Sequence, residues 1–271
     1  MPYRHAHWFL LAIFPLAALA FWPGYLATIA SAPLQMHAHG VTATLWLMLL
    51  VAQSWSIHSG RNPLHRMLGA ASLVLFPLFL AGGSMIFLGM AERYFEGASP
   101  FYTLFAPRLA LIDLVSVAAF AGFYYEALRL RRKTQLHARY MLATVLFLLP
   151  PILGRLMPIL PPLAIHGPGD FWKLGIGFQL ANAVTAAIAF GLAFASGRHG
   201  RPFFLAGGVT LLAALLFEFL GPLAAWKAFF VHFAAVPALP FAFAAGLIGA
   251  GIGYAGWIAG RRPAMPGALA A

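Results

Sequence analysis

The chain contains no cysteine, which excludes disulfides, thiolate metal sites and cysteine nucleophiles, so any metal or haem must be held by His, Met, Tyr or carboxylate. Charge is also scarce. Charged residues make up 8% of the 271 positions and only 6 are acidic, where a soluble domain carries about 25% charged residues. A water-facing surface cannot be assembled from that inventory. Nucleophile elbows, phosphate-cradling glycine loops, H-E-x-x-H and aspartate-rich metal motifs are missing too, so no residue is assigned as catalytic.

What the chain has is hydrophobicity: 62% of its residues are hydrophobic and the mean hydropathy is +0.85. A helix needs about 20 apolar residues to cross a bilayer. Runs of that length predict eight spans, at about 8–30, 38–58, 65–90, 104–128, 137–160, 171–195, 203–222 and 238–259. The connections between them are short and polar or Pro/Gly-containing, such as Ser59-Gly60-Arg61-Asn62-Pro63 and Ser196 to Pro202. None is long enough for a second soluble domain, so residues 1–271 read as one all-α transmembrane bundle. Ala30-Ser31-Ala32 looks like a signal-peptidase site, but the apolar run from Trp8 to Ile29 exceeds the roughly 7 to 15 residues of a signal core. It is read as an uncleaved first span.

The net charge of +11 and pI near 10.7 do not indicate nucleic acid, because the basic residues sit in short loops between apolar runs rather than along one soluble face. They read as topology signals and contacts to anionic lipid. With the N-terminus inside, one side receives Arg4, Arg61, Arg66, Arg129, Arg131, Arg132, Lys133, Arg139, Arg198, Arg201, Arg261 and Arg262. Only Arg93, Arg108, Arg155, Lys173 and Lys227 fall on or near the other. Twelve of 17 against five is a positive-inside bias that places both termini in the cytoplasm. The stretch from Leu223 to Val236, interrupted by Trp226, Lys227 and His232, reads as an outer loop, an interfacial helix or an extension of the seventh span. A seven-span count would put the terminal arginine pair outside, against the charge rule.

Polar residues inside these runs are the candidates for chemistry, since an ionisable group in a bilayer is costly and is usually paired or facing a wet cavity. On the second span His39, Thr42, Trp46 and Gln53 form one helical stripe, expected to face protein. On the fifth, His137, Met141, Thr144, Leu148 and Arg155 align, with a kink expected at Pro150-Pro151. Arg108, Asp113, Arg155 and Glu218 all map to the outer half. With Gln53 and Asn182 they make up a buried polar set, expected to form an outward-opening pocket with His37 and His39. The alternative is an Asp113 ion pair with Arg108 or Arg155 that only ties helices together, with Glu218 at the headgroups.

Two histidine groups stand out. His37-Ala38-His39 would supply two imidazoles to a metal ion, completed by Asp113 or Glu218; otherwise it caps the helix and meets solvent or phosphate. On the inner side His58, His65 and His137 sit at helix ends beside Arg66 and Arg139. Facing histidines on different helices are what axial ligation of a b-type haem requires, with arginines for the propionates; the alternative is an interfacial or phosphate-binding cluster. Leu64-His65-Arg66-Met67 and Leu136-His137-Ala138-Arg139 open two spans leaving the same side, a weak internal repeat. Gly249-x-x-x-Gly253 and its neighbours Gly246, Gly251 and Gly256 in the last span form small-residue patterns that mark close helix packing.

His37-Ala38-His39-Gly40, Trp46, Gln53 and Leu64-His65-Arg66-Met67-Leu68-Gly69 resemble the H-x-H-G, W, Q, L-H-R-x-L-G pattern of a poorly characterised family of bacterial polytopic inner-membrane proteins. Leu136 to Leu142 looks like that family's second signature. The resemblance covers about residues 36–83 and 134–155 and implies a multi-pass protein of the bacterial inner membrane without an assigned activity.

Three functional expectations follow. The first is a His-ligated haem or metal protein of the membrane, in electron transfer or small-molecule redox. The second is a carrier for a small solute or lipid-like ligand, working through Asp113, Arg155, Asn182 and Glu218. The third is an accessory subunit or homo-oligomer, with the glycine-rich last span as its contact surface.

Overall fold

The structure, a computed structural model, describes residues 2–261. Without water to bond them, backbone amides and carbonyls in an apolar phase must pair within their own segment, and every regular element among the described residues is helical. The first half holds α1 (Ala6–Phe21), α2 (Leu34–His58), α3 (Asn62–Phe95), α4 (Pro100–Arg129) and α5 (Thr134–Ala143). After it come α6 (Leu149–Leu156), α7 (Trp172–Ala195), α8 (Arg201–Leu215), α9 (Ala224–Val231) and α10 (Ala238–Ala259).

Seven stretches are long and apolar enough to cross a membrane: Leu34–His58, Asn62–Phe95, Pro100–Arg129, Thr134–Ile159, Pro168–Ala195, Arg201–Leu220 and Ala238–Ala259. They mark the chain as a multi-pass membrane protein. Their outer faces carry large exposed apolar side chains such as Val74, Phe194 and Phe243, a surface suited to lipid and not to water. The first predicted span is the exception. α1 ends at Phe21 after 16 residues, because Pro23 has no N–H to continue the ladder and Gly24 follows it; a 3-10 segment, Leu26–Ser31, replaces the rest.

The fifth predicted span is broken where a kink was expected, but slightly early. A 3-10 turn over Thr144–Phe147 separates α5 from α6, since the Pro150 ring would collide with the carbonyl four residues before it, while its own position suits the first turn of a new helix. α8 relaxes into a π turn at Leu216–Leu220 around Glu218. The ambiguous stretch after it is a separate short helix, α9, and not an extension of α8. Trp226 Nε1 donates to the Pro107 carbonyl at 2.7 Å, and Phe230 is fully buried against Phe87, which pins α9 onto α3 and α4.

One end of the bundle, the basic end, gathers the N-terminal residues, the turns at 59–61, 130–133 and 196–200, and the last turn of α10. Tyr3 Oη bonds Ser196 Oγ at 2.5 Å, and Arg131 Nη1 donates to the Trp257 carbonyl at 2.8 Å. The basic residues that the charge count assigned to one side, from Arg4 to Arg261, lie in these segments or within two helical turns of them; Arg262 is outside the described residues. α1 runs from this end, where Tyr3 is held, to the opposite one, where Phe21 lies under Arg155 and Tyr25 bonds His37.

α3 is the central plank, packed along α2 and α10, with α4 against α3, α5, α8 and α10 and with α7 paired to α8. Gly249, Gly253 and Gly256 of α10 face inward, whereas Gly251 faces out. A Cβ on Gly249 would meet Pro77 and Leu80, one on Gly253 Tyr124 and Leu73, and one on Gly256 Tyr125 and Leu128. Those three glycines are therefore used for packing inside the chain. A close crossing joins α2 and α3, where a Cβ on Gly82 would sit 2.9 Å from the Ala38 backbone.

Gly82→Leu should lower stability in detergent, followed by thermal unfolding, by about 1–3 kcal/mol or more, since the backbone of α2 cannot yield as a flexible side chain would. Gly251→Leu, with nothing within 4 Å of the added carbon, should change it by less than about 0.5 kcal/mol. Equal responses would contradict the crossing.

Candidate ligand-binding site

A cavity of about 490 Å³ opens at the basic end between α2, α3, α4 and α5, with α10 and the N-terminal residues at its rim. That size falls in the range of small-molecule and cofactor sites. His58, His65 and His137, the three histidines singled out from their place at helix ends, all line it. So do Gln53 from α2, Arg66 from α3 and Arg131 from the turn after α4, on walls otherwise made of Leu50, Ile57, Gly69, Met141 and Leu142.

Each imidazole is oriented in the same manner. His58 Nδ1 lies 2.7 Å from the Ser54 carbonyl, His65 Nδ1 3.3 Å from the Gln53 carbonyl, and His137 Nδ1 2.8 Å from the Ala127 carbonyl. A carbonyl oxygen only accepts, so Nδ1 must carry the hydrogen in all three rings. Nε2 is thereby left as the lone-pair nitrogen, and among the described residues it has no protein partner in any of the three. A backbone carbonyl behind the ring is the usual support of an imidazole that ligates through its other nitrogen.

The two arginines expected beside these histidines separate. Arg66 lines the cavity, but Arg139 is buried and turned away, its Nη1 donating to the Gln135 carbonyl and Oε1 and its guanidinium stacked over Tyr3. Arg131 takes its place. It lies over the Trp257 ring at 4.4 Å, and burial, with Arg132 and Arg261 nearby, lowers its pKa from the ordinary value. In the sequence it was one charge within Arg129-Leu130-Arg131-Arg132-Lys133, legible only as a topology signal.

The predicted outer polar pocket comes apart into separate groups. Gln53 belongs to the basic-end cavity, as its distance from His39 requires: 14 residues of helix is about 21 Å. Asn182 is fully buried and its Nδ2 donates to the Phe178 carbonyl of its own helix. Arg108 meets Glu218 at 3.9 Å, and Gln179 Nε2 donates to the same carboxylate at 3.2 Å. The alternative, an ion pair of Asp113 with either arginine, is absent too: among the described residues no ion pair within 4.0 Å includes it. Arg155 instead donates to the Pro151 carbonyl at 2.8 Å and lies over Phe21.

His37 and His39 do not form the expected metal pair. Two residues apart on α2, they point about 200° apart. His37 Nδ1 bonds Tyr25 Oη at 2.9 Å, while the His39 ring packs beside Phe79. Among the described residues, no group of three His, Asp or Glu side chains is placed to hold a metal ion.

Neither family models, curated proteins nor solved structures match this chain. The site must therefore be read from its own chemistry. It offers neutral imidazole lone pairs, two guanidinium groups at the rim and apolar walls. It lacks the clustered ligands of a bare metal centre and has no carboxylate among its lining residues.

Proposed function

We propose that this chain is a multi-pass protein of the bacterial inner membrane that binds b-type haem in the basic-end cavity and serves electron transfer. The observation that carries the reading is the shared orientation of His58, His65 and His137. At one cavity His65 and His137 each leave Nε2 unbonded behind an Nδ1–H tied to a carbonyl, whereas His58 Nε2, oriented alike, is buried without a partner. Haem needs only two axial nitrogens on a flat slot, which explains how a ligand site exists where no three-ligand metal cluster does.

His65 and His137 are the residues that would hold the haem iron in this reading. They open different helices, α3 and α5, whereas His58 ends α2. Arg66 and Arg131 supply cations for the propionates, and the largely apolar walls suit the macrocycle. Bound there, haem would supply one-electron redox chemistry; the residues of the chain orient it, neutralise its propionates and limit water at its edge.

The membrane placement has the basic end in the cytoplasm, with α1 as an eighth crossing and both termini inside. Ten basic residues between Arg61 and Arg261 sit at or next to basic-end turns, in accord with the positive-inside rule. α1 is about 24 Å long at ~1.5 Å per residue; the 3-10 segment after it and local thinning of the bilayer cover the remaining few ångströms.

Detergent-purified protein should show a Soret band and, after dithionite, a sharp α band. His65→Ala and His137→Ala should each remove or shift both bands, while His37→Ala should leave them unchanged. A colourless protein, or bands indifferent to both inner histidines, would refute the assignment.

The natural absence of cysteine makes topology directly measurable. A single cysteine at Ser59 should be labelled by an impermeant maleimide only after cells are opened, and one at Ser99 in intact spheroplasts. The reverse pattern would invert the placement.

A further inference from the structure

The α3 wall of the basic-end cavity differs from the α5 wall in a way that the haem reading does not use. Each helix carries a histidine in its first turn, and the residues four and seven positions on share its face. On α5 that row is His137, Met141 and Thr144; on α3 it is His65, Gly69 and Ser72. Both rows end alike. Thr144 Oγ1 donates to the Met141 carbonyl at 2.7 Å and accepts from Trp46 Nε1 at 3.2 Å. Ser72 Oγ donates to the Gly69 carbonyl at 2.6 Å, which leaves it to accept from Tyr124 Oη at 2.8 Å. Each hydroxyl turns back onto its own helix and holds one aromatic ring of a neighbour.

The rows part in the middle, where α5 has the long Met141 side chain and α3 has bare backbone. A Cβ on Gly69 would meet one atom within 4 Å, Gln53 Nε2 at 3.4 Å, the far end of a flexible side chain. On the same helix a Cβ on Gly82 would press on the Ala38 backbone at 2.9 Å. Gly82 therefore serves the helix crossing, and Gly69 serves none. Glycine is a weak helix former, and nothing packed on Gly69 calls for it. What lies over it is the cavity. His65, Gly69 and Ser72 all line that space, together with Leu50 and Gln53 of α2 and Met141 of α5. Thr144 is fully buried and does not line it, so the open row is the one on α3.

Seven residues of helix place Ser72 about 10 Å below His65. Arg66 and Arg131 line the same cavity, His65 and Arg66 in the first turn of α3, and no carboxylate does. Depth, apolar walls and unopposed cations fit an amphipathic acid whose apolar body reaches down along α3 with its acidic groups at the mouth.

We propose that Gly69 is the specificity-determining residue of this cavity. The bare α3 backbone between His65 and Ser72 admits the apolar body of an amphipathic acid, whose carboxylates turn to Arg66 and Arg131. Haem is one such acid. The proposal rests on the cavity as the ligand site, as the haem reading does, but not on the histidines holding iron.

Iron-free protoporphyrin IX separates the two, because it has the macrocycle and the carboxylates but no metal to ligate. The purified full chain in lipid nanodiscs, with empty nanodiscs as the blank, is titrated with it while tryptophan fluorescence is followed. Wild type should bind saturably, and Gly69→Leu about tenfold or more weakly, because its side chain takes up space that the ligand needs. Gly251→Leu, which faces out, should bind as wild type does. The chain has no cysteine, so Gly69→Cys gives a second readout without a bulky side chain. Bound protoporphyrin should protect its thiol from N-ethylmaleimide, and alkylation should abolish binding. Equal binding in wild type and Gly69→Leu, no saturable binding in wild type, or alkylation indifferent to protoporphyrin overturns the proposal. Protoporphyrin binding that depends on Gly69, with haemin bound no more tightly and indifferent to His65→Ala, supports it and overturns the haem reading alone. Haemin bands that need His65 and not Gly69 support the haem reading and overturn the role of Gly69.

Discussion

Trp46 is the contact on which the arrangement turns. Its indole is fully buried and stacks with Phe76, Phe79, Phe120 and Tyr124, while Nε1 donates to Thr144. One side chain therefore locks α2 to α3, α4 and the 3-10 turn of the broken fifth span. Between lipid-exposed helices hydrophobicity supplies no attraction, so association depends on close packing and satisfied polar groups. The Gly82 crossing allows the backbone approach that brings Trp46 into this cluster. The histidine cavity lies on the basic-end side of it.

The same constraint explains the chemistry of the cavity. A charged imidazole is poorly tolerated at membrane depth, and a neutral one must place its N–H on an acceptor. His137 uses the Ala127 carbonyl in the last turn of α4, where helical partners run out, while His58 and His65 bond the Ser54 and Gln53 carbonyls near the end of α2. Orienting the rings on backbone carbonyls thus leaves the Nε2 atoms of His65 and His137 unbonded at one cavity.

Much of this was readable in the sequence because membrane helices are defined by length and charge placement. The stretches at 38–58, 65–90 and 104–128 reappear in α2, α3 and α4, and the inward stripe of His39, Trp46 and Gln53 follows from helical spacing. The convergence of His58, His65 and His137 was legible for the same reason, since all three begin or end helices at the side with most basic residues. What escaped was set by tertiary contact. The Gly82 crossing, the exchange of Arg139 for Arg131 and the internal use of the α10 glycines depend on which helices become neighbours. The outer polar set was over-grouped because residues sharing a depth need not share a face, and Gln53 did not share the depth either.

The central claim concerns the nitrogen atoms themselves, and electron paramagnetic resonance of the oxidised, purified protein at low temperature examines them most directly. Iron held between two neutral imidazoles whose Nδ1–H groups bond to carbonyls gives a low-spin ferric signal, and that is the result predicted. A high-spin signal alone, or no ferric haem signal, would contradict bis-histidine ligation in the cavity.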